Sequence, residues 1–392
     1  MNTKKRLLIC FFCLFMYQFA CGQIEYMKID GYIQADFEIS DKDGTTFLGP
    51  AHSEAKDGNS DYYFRYGLYR GVITAKFEKD KSFGMLRVNF TEAGVMPLVA
   101  CFQYNMYDWL GFQAGLSNID YGFELMYPSI FFETIERSAF TRLLFPKEHD
   151  LGFKFILSYP SKDRKNKLSL SLGMTSGNGI NKIADKHMNF LSHLKYNYTG
   201  EVWSLGMGAS YYEGKTNNTS DSIYKVKNHA WQVETTSENQ KNARRYFNFE
   251  FQVGYKSDVG ISTLRGETSF GLQPSRKNNF ASQDNNSYNP LDAFSYQRHF
   301  LGYTFYFIQK FYKFPISLVG KYSYFDKNTK LSENEITNIH DICMQNIGFG
   351  LIWDFNPNMR AYLFYDMNSN ETNNIFKQLD DDVLHLRLQY AF

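Results

Sequence analysis

The stretch "NKLSLSLGMT", residues 166–175, sets Leu168, Leu170, Leu172 and Met174 on one parity and Ser169, Ser171, Gly173 and Thr175 on the other. Successive side chains of a strand point to opposite faces, so this spacing predicts a strand with one oily face and one small, polar face. The pattern recurs. Phe247, Phe249, Phe251, Val253 and Tyr255 alternate with Asn248, Glu250 and Gln252. Trp203, Leu205, Met207, Ala209 and Tyr211 alternate with Ser204, Gly206, Gly208 and Ser210, and Ile347, Phe349, Leu351, Trp353 and Phe355 alternate with Asn346, Gly348, Gly350 and Asp354. Sixteen strands are predicted: 24–38, 62–79, 83–92, 97–106, 109–117, 150–159, 166–175, 188–198, 202–212, 246–257, 260–271, 297–309, 314–325, 345–355, 358–368 and 383–392.

A half-buried strand in a soluble sandwich alternates in the same way. Here the polar face is rich in Gly and Ser and carries Lys and Arg, while the apolar face gathers Tyr, Phe and Trp near the strand ends. That distribution suits a wall with lipid outside and water inside. The connections agree, because short and long gaps mostly alternate. "DKS" (80–82), "YD" (107–108), "TGE" (199–201), "DV" (258–259) and "NP" (356–357) are short; 39–61, 118–149, 213–245, 272–296, 326–344 and 369–382 are long; 93–96 is a short exception on the long side. A closed meander has short periplasmic turns at one rim and longer loops at the other. The fold class read from this is all-β: a transmembrane antiparallel up-and-down β-barrel of about sixteen strands. "VLHLRLQYAF" (383–392) is its closing strand, with Leu384, Leu386, Leu388, Tyr390 and Phe392 toward lipid. Only a closed sheet satisfies its backbone in hydrocarbon.

Composition adds two points. Aromatic content is 18%, with 37 Phe and 29 Tyr, as expected where rings sit at a membrane boundary. Net charge is +1, so no global field points to nucleic acid as a partner. Mean hydropathy is −0.43, and after residue 22 no run approaches the roughly 20 apolar residues of a spanning helix. Lys4, Lys5 and Arg6 precede a mostly apolar Leu7–Ala20, and Ala20-Cys21-Gly22 offers a cleavage site before Gln23. Residues 1–22 therefore read as a secretory signal and 23–392 as a barrel in a bacterial outer membrane. Acylation at Cys21 is a second reading, which Phe19 fits poorly. Cleavage leaves Cys101 and Cys343, whose spacing is not that of a zinc site, and no metal or cofactor is expected.

Several blocks resemble the phosphate-selective porin O and P family of outer-membrane channels. They are "GYIQADF" (31–37), "FRYGLYRG" (64–71), "QAGLSNIDYGFE" (113–124), "IERS" (135–138) and "FPKEHDLGFKF" (145–155), in family order over 24–160. The rest is similar only in barrel pattern and in the terminal Phe392. The resemblance implies a sixteen-stranded barrel, a homotrimer, and a long third outer loop folded into the lumen; 118–149 stands in that place. Asn118 replaces the family's lysine, Asp120 its proline and His149 its arginine, changes that weaken positive charge or add negative charge near the narrowing.

Parity also assigns the lumen. Lys28, Arg65, Arg87, Lys154, Lys195, Arg265, Arg298, Lys321, Arg360 and Arg387 face inward, against Asp30, Asp36, Glu250, Glu267, Asp354 and Asp366. Rings of Lys and Arg select anions in pores, so a water-filled channel for small anionic or hydrophilic solutes is expected, with phosphate among the candidates. The competing reading pairs these charges across strands and leaves a merely hydrated wall. In the constriction loop Asn118, Asp120, Glu124, Arg137 and Arg142 are the residues of interest. Arg137 and Arg142 are candidate donors to a passing anion. Arg137 has an alternative role, tying the loop to an inward acid such as Asp36 or Glu250. A hydrolase has thin support: His149 beside Asp150, His193, and His340 beside Asp341 are isolated, and no GxSxG or HExxH occurs. A third class is a non-conducting docking barrel using 213–245 and 272–296.

Overall fold

The computed structural model describes residues 25–41, 62–91, 94–160, 165–179, 187–217, 222–235, 241–280, 295–379 and 381–392. The predicted signal, 1–22, lies outside them. The strands are β1 (Tyr26–Asp41), β2 (Tyr62–Lys79), β3 (Ser82–Thr91), β4 (Gly94–Tyr107), β5 (Leu110–Asn118), β6 (His149–Pro160), β7 (Asn166–Thr175), β8 (Asn189–Thr199), β9 (Trp203–Asn217), β10 (Ser222–Lys227), β11 (Ala230–Thr235), β12 (Lys241–Lys256), β13 (Gly260–Ser275), β14 (Ser295–Phe311), β15 (Ile316–Asp326), β16 (Cys343–Asn356), β17 (Met359–Asn370) and β18 (Val383–Ala391).

Sixteen of them close an antiparallel barrel, with β9 pairing β12 and β1 pairing both β2 and β18. At the seam Gly31 N–H donates to Phe392 O at 3.0 Å, and Phe392 N–H returns the bond to Gly31 O at 2.9 Å. No edge strand is left in the barrel wall, as a hydrocarbon environment demands.

The burial is inside-out relative to a water-soluble protein. Phe102, Phe249, Phe307 and Phe349 are all more than half exposed on the outer face, while Ser269, Gln273 and Thr304 are wholly buried on the inner one. Ring pairs gather by the short turns: Tyr107–Trp109, Trp203–Tyr255 and Trp353–Phe355, with centroids 5.6, 4.5 and 4.4 Å apart. This is the aromatic girdle of a membrane barrel.

All sixteen predicted strands are present, but several run longer toward the long-loop side. β9 continues to Asn217 and β12 begins at Lys241, each five residues beyond its expected end. Beyond the hydrocarbon the outward face need not be oily, so the hydrophobic signal stops before the hydrogen-bond ladder does. The predicted loop 213–245 also holds a hairpin. β10 and β11 meet at Asn228-His229, both at positive φ (49° and 62°), the backbone of a two-residue hairpin turn. β10 then lies parallel to the start of β14, with Tyr224 stacked on Tyr296 at 4.5 Å.

Candidate functional site

Between β5 and β6 the chain turns into the lumen. This inward loop carries two short helices, α1 (Gly122–Met126) and α2 (Ala139–Leu144). Rings and aliphatic side chains fasten it to the wall. Tyr121, Leu125, Phe140, Leu144 and Phe145 pack on Tyr212, Tyr246, Phe300, Phe325 and Met344. Phe123, Phe132 and Ile135 pack on Tyr306, Ile308, Val319, Ile352, Tyr362 and Phe364. The barrel interior along β14–β17 is thus apolar where the loop lies against it.

Polar groups fix the path. Glu267 of β13 accepts the N–H groups of Phe123 and Glu124 at 2.5 and 3.2 Å, and Ser210 Oγ accepts that of Gly122 at 3.0 Å. Arg387 donates to Ile135 O at 3.1 Å, Gln389 to Ile130 O at 3.1 Å and Arg244 to Leu144 O at 2.9 Å. The loop therefore reaches from β9 and β13 across the bore to β18. Beside it, β4, β5, β7 and β8 present half-exposed Gln103, Gln113, Ser169 and Lys195 inward.

The predicted wall cations can now be placed. Arg360 pairs with Asp354 at 2.5 Å, Lys195 with Glu250 at 3.1 Å, Lys321 with Asp366 at 3.7 Å and Lys28 with Asp30 at 3.9 Å. Arg387 forks onto Asp36 with two bonds of 2.7 Å. Three others find loop carboxylates: Lys154 with Asp120 at 2.5 Å, Arg265 with Glu133 at 2.9 Å and Arg298 with Asp341 at 2.8 Å. Arg298 is fully buried under the outer loops, so it holds that cap and does not meet the open bore. Arg87 bonds Thr74 Oγ1 at 3.1 Å. The side chain of Arg65 lies outside the described residues. A count of wall charges overstates the free positive charge because it leaves out acids supplied by the loops.

Within the inward loop, Asn118 O accepts from Lys154 at 3.2 Å, and Asp120 also accepts from Ser171 at 2.5 Å. Glu124 is fully buried, bonded to Ser138 and Tyr306. Arg137 ties the inward loop to itself and not to the wall: it pairs with Glu148 and donates to Glu124 O at 2.7 Å, while Asp36 is held by Arg387 and Glu250 by Lys195. Arg142 stands 3.6 Å from Glu136. Of the candidate histidines, buried His193 lies 3.5 Å from Glu250, and His149 Nδ1 is 3.1 Å from Lys147 O.

Four guanidinium groups converge where the loop meets β18, β1 and β2. Arg70, Arg137, Arg142 and Arg387 line a small recess with Tyr69, Glu136, Glu148, Gln34 and Ser129. Alternation had missed Arg70. Counting by twos from inward Arg65 sends residue 70 into lipid. In β2, however, Gln34 faces Arg70 while Ala35 faces Leu68, so Tyr69 is an extra, bulged residue. A β-bulge of this kind resets parity and re-aims side chains. Tyr69 and Arg70 thus both point inward; Tyr69 Oη donates to Glu136 at 3.1 Å, and the Arg387 guanidinium lies 4.0 Å over the Tyr69 ring. Among the described residues Arg70 bonds only hydroxyls, Tyr69 Oη at 3.2 Å and Ser129 Oγ at 3.4 Å. Its Nε has no hydrogen-bond partner among the described residues.

Glu136 sits on the loop, not on a spanning strand. Burial opposes its ionisation, but the charges of Arg142, Arg387, His385 and Arg70 outweigh burial and hold its carboxyl at about 2. A carboxyl lowered in this way contributes stability that is complete above its ordinary range and is lost as pH falls through about 2. The expected result is that Glu136→Gln raises chloride preference at pH 7. The same difference from the unmodified protein persists at pH 4 and closes only near pH 2. Zero-current potentials at the three pH values check this. Convergence of the two proteins between pH 5 and 4 would mean an ordinary carboxylate.

No family model matches the chain, and no curated protein matches it. Among solved structures, the outer-membrane channel DcaP of Acinetobacter baumannii superposes with a TM-score of 0.56 at 12% identity, covering 93% of this chain and 97% of that one. Outer-membrane expressed OmpT of Vibrio cholerae gives 0.53 at 14% identity, over 94% and 100%. Both likenesses establish the fold, a closed outer-membrane barrel.

Proposed function

We propose that this chain forms a water-filled pore in a bacterial outer membrane that passes small hydrophilic solutes and prefers anions. The observation that carries this reading is Arg70. It is the one guanidinium of the four in the recess with no carboxylate within ion-pair distance among the described residues, and it stands where the inward loop crosses the bore. A fixed charge on a low-dielectric wall biases the ions that pass it. The polar side of β4–β8 supplies the water path, and the paired charges elsewhere keep the wall hydrated without adding net field.

The porin O and P resemblance extends the proposal to a homotrimer and to phosphate as one solute. Asp120 bears on the second point. It neutralises Lys154, so the reading favours small anions in general over phosphate alone.

The test is the refolded protein in a planar bilayer under a KCl gradient. A chloride-favouring zero-current potential is expected, and Arg70→Ala is expected to lower the chloride-to-potassium ratio about two- to fivefold, the effect of one partly screened charge. A ratio that Arg70→Ala leaves unchanged would remove this residue from selectivity. A second reading, a non-conducting docking barrel, draws on the two aromatic clusters that fill the lumen beside the loop. Absence of any conductance would move the weight there.

A further inference from the structure

Tyr69 and Arg70 are neighbours on β2 and reach the same recess only because of the bulge. On a regular strand they would point to opposite faces. Their placement puts one phenol hydroxyl between two opposite charges. Tyr69 Oη accepts from Arg70 Nη2 at 3.2 Å and donates to Glu136 Oε1 at 3.1 Å. A hydroxyl is both donor and acceptor, so it can serve a carboxylate and a guanidinium at once. Arg70 and Glu136 therefore stand one hydroxyl apart, and no direct bond joins them among the described residues.

The surroundings hold all three groups. The guanidinium of Arg70 lies 4.7 Å from the centre of the Tyr69 ring and that of Arg387 lies 4.0 Å from it, so two cations rest on one ring. Glu136 is fixed through its backbone: its carbonyl accepts from Thr134 Oγ1 at 2.9 Å and from Lys321 Nζ at 3.4 Å. Its carboxylate also stands 3.6 Å from Arg142. Glu148, the other loop carboxylate of the recess, is taken by Arg137. Charge alone would bring Arg70 and Glu136 together, since bonds between ionised groups are the stronger kind. Direct contact would also cancel much of the field that Arg70 offers a passing anion.

We propose that Tyr69 is a spacer: its hydroxyl keeps Glu136 off Arg70 and so preserves the positive charge that favours anions. This rests on the pore reading above and adds a positioning residue to it, one that acts through Arg70. Without the hydroxyl, guanidinium and carboxylate each lose a partner in a part-buried site, where an unmade bond is costly and their mutual attraction is strong. They then close on each other.

The test is the zero-current potential of Tyr69→Phe under a KCl gradient at pH 7, in the full refolded protein, alone and combined with Glu136→Gln. Tyr69→Phe keeps the ring and the net charge. It is expected to lower the chloride-to-potassium ratio about twofold, as one charge becomes paired. In the Glu136→Gln background the same change is expected to leave the ratio where Glu136→Gln alone puts it, because no carboxylate remains to close on Arg70. An equal shift in both backgrounds would mean a purely structural hydroxyl and would overturn the inference. An unchanged ratio for Tyr69→Phe in a chloride-preferring channel would overturn it too, and would leave the pore reading standing. A channel without chloride preference would overturn both, so the two failures separate.

Discussion

Arg387→Met is expected to lower the unfolding free energy of the refolded barrel by about 3–5 kcal/mol, the usual consequence of stranding one member of a buried ion pair. The Arg387 and Asp36 side chains are 5% and 7% exposed and joined by two bonds of 2.7 Å across the seam strands β1 and β18. Removing the guanidinium leaves the carboxylate in the wall with its desolvation uncompensated. It also removes the donor to Ile135 O and the cation over Tyr69. The double variant Arg387→Met/Asp36→Leu is expected to recover much of the loss, because an apolar pair of similar volume is often no worse than the ions it replaces. Denaturant unfolding in micelles, read as a double-mutant cycle, checks both statements. A surface pair gives the contrast: the Lys227–Glu234 pair is solvent-exposed, and Lys227→Ala is expected to leave the unfolding midpoint almost unchanged. Additive losses at Arg387 and Asp36 would mean that the pair is not a unit.

The barrel was legible in the sequence because its signal is the repeated one. Each wall strand must show lipid an apolar face, so Leu168, Leu170 and Leu172 announce a strand wherever it sits. The loop and cap lacked such a signal. Nothing lipid-facing constrains β10 and β11, and their marker was the Asn228-His229 turn alone. The resemblance to the porin O and P family picked out the inward loop, since 118–149 stands where that family folds its third outer loop into the lumen. Its chemistry was less visible. Asp120, Glu133 and Asp341 lie in loops, so a strand-by-strand reading had no way to match them to Lys154, Arg265 and Arg298. Arg70 was hidden for a different reason: one bulged residue, Tyr69, inverts the parity of all that follows on β2, and alternation carries no trace of a bulge. Arg244, buried among Tyr212, Tyr246 and Leu144, fell before the predicted start of its strand at 246.

Gly122→Val is expected to free the inward loop while leaving the barrel closed. Gly122 has φ +59°, in the left-handed region that costs a side-chain-bearing residue about 1–2 kcal/mol. A branched side chain there fares worse. Space is short as well: a Cβ at this position meets Glu267 Oε2 at 3.0 Å and Asn248 Nδ2 at 3.1 Å, both wall side chains that hold the loop's first turn or its neighbours. Either the backbone leaves this region or the turn lifts from β12 and β13; both break the bonds from Phe123 and Glu124 to Glu267. The ladders between strands are untouched, so the refolded variant should keep its heat-modifiable migration while its single-channel conductance and current noise rise. Gly122→Ala should fall between the two. Unchanged conductance would mean that the loop does not set the bore. A rise has two versions that separate the loop's contributions. Arg70 belongs to the wall, but Ser129, Glu136 and Arg137 reach it from the loop. If chloride preference falls as conductance rises, the loop both narrows the path and presses solutes toward Arg70. If preference holds, the wall arginine acts without the loop's help, and the loop's part is to narrow the path.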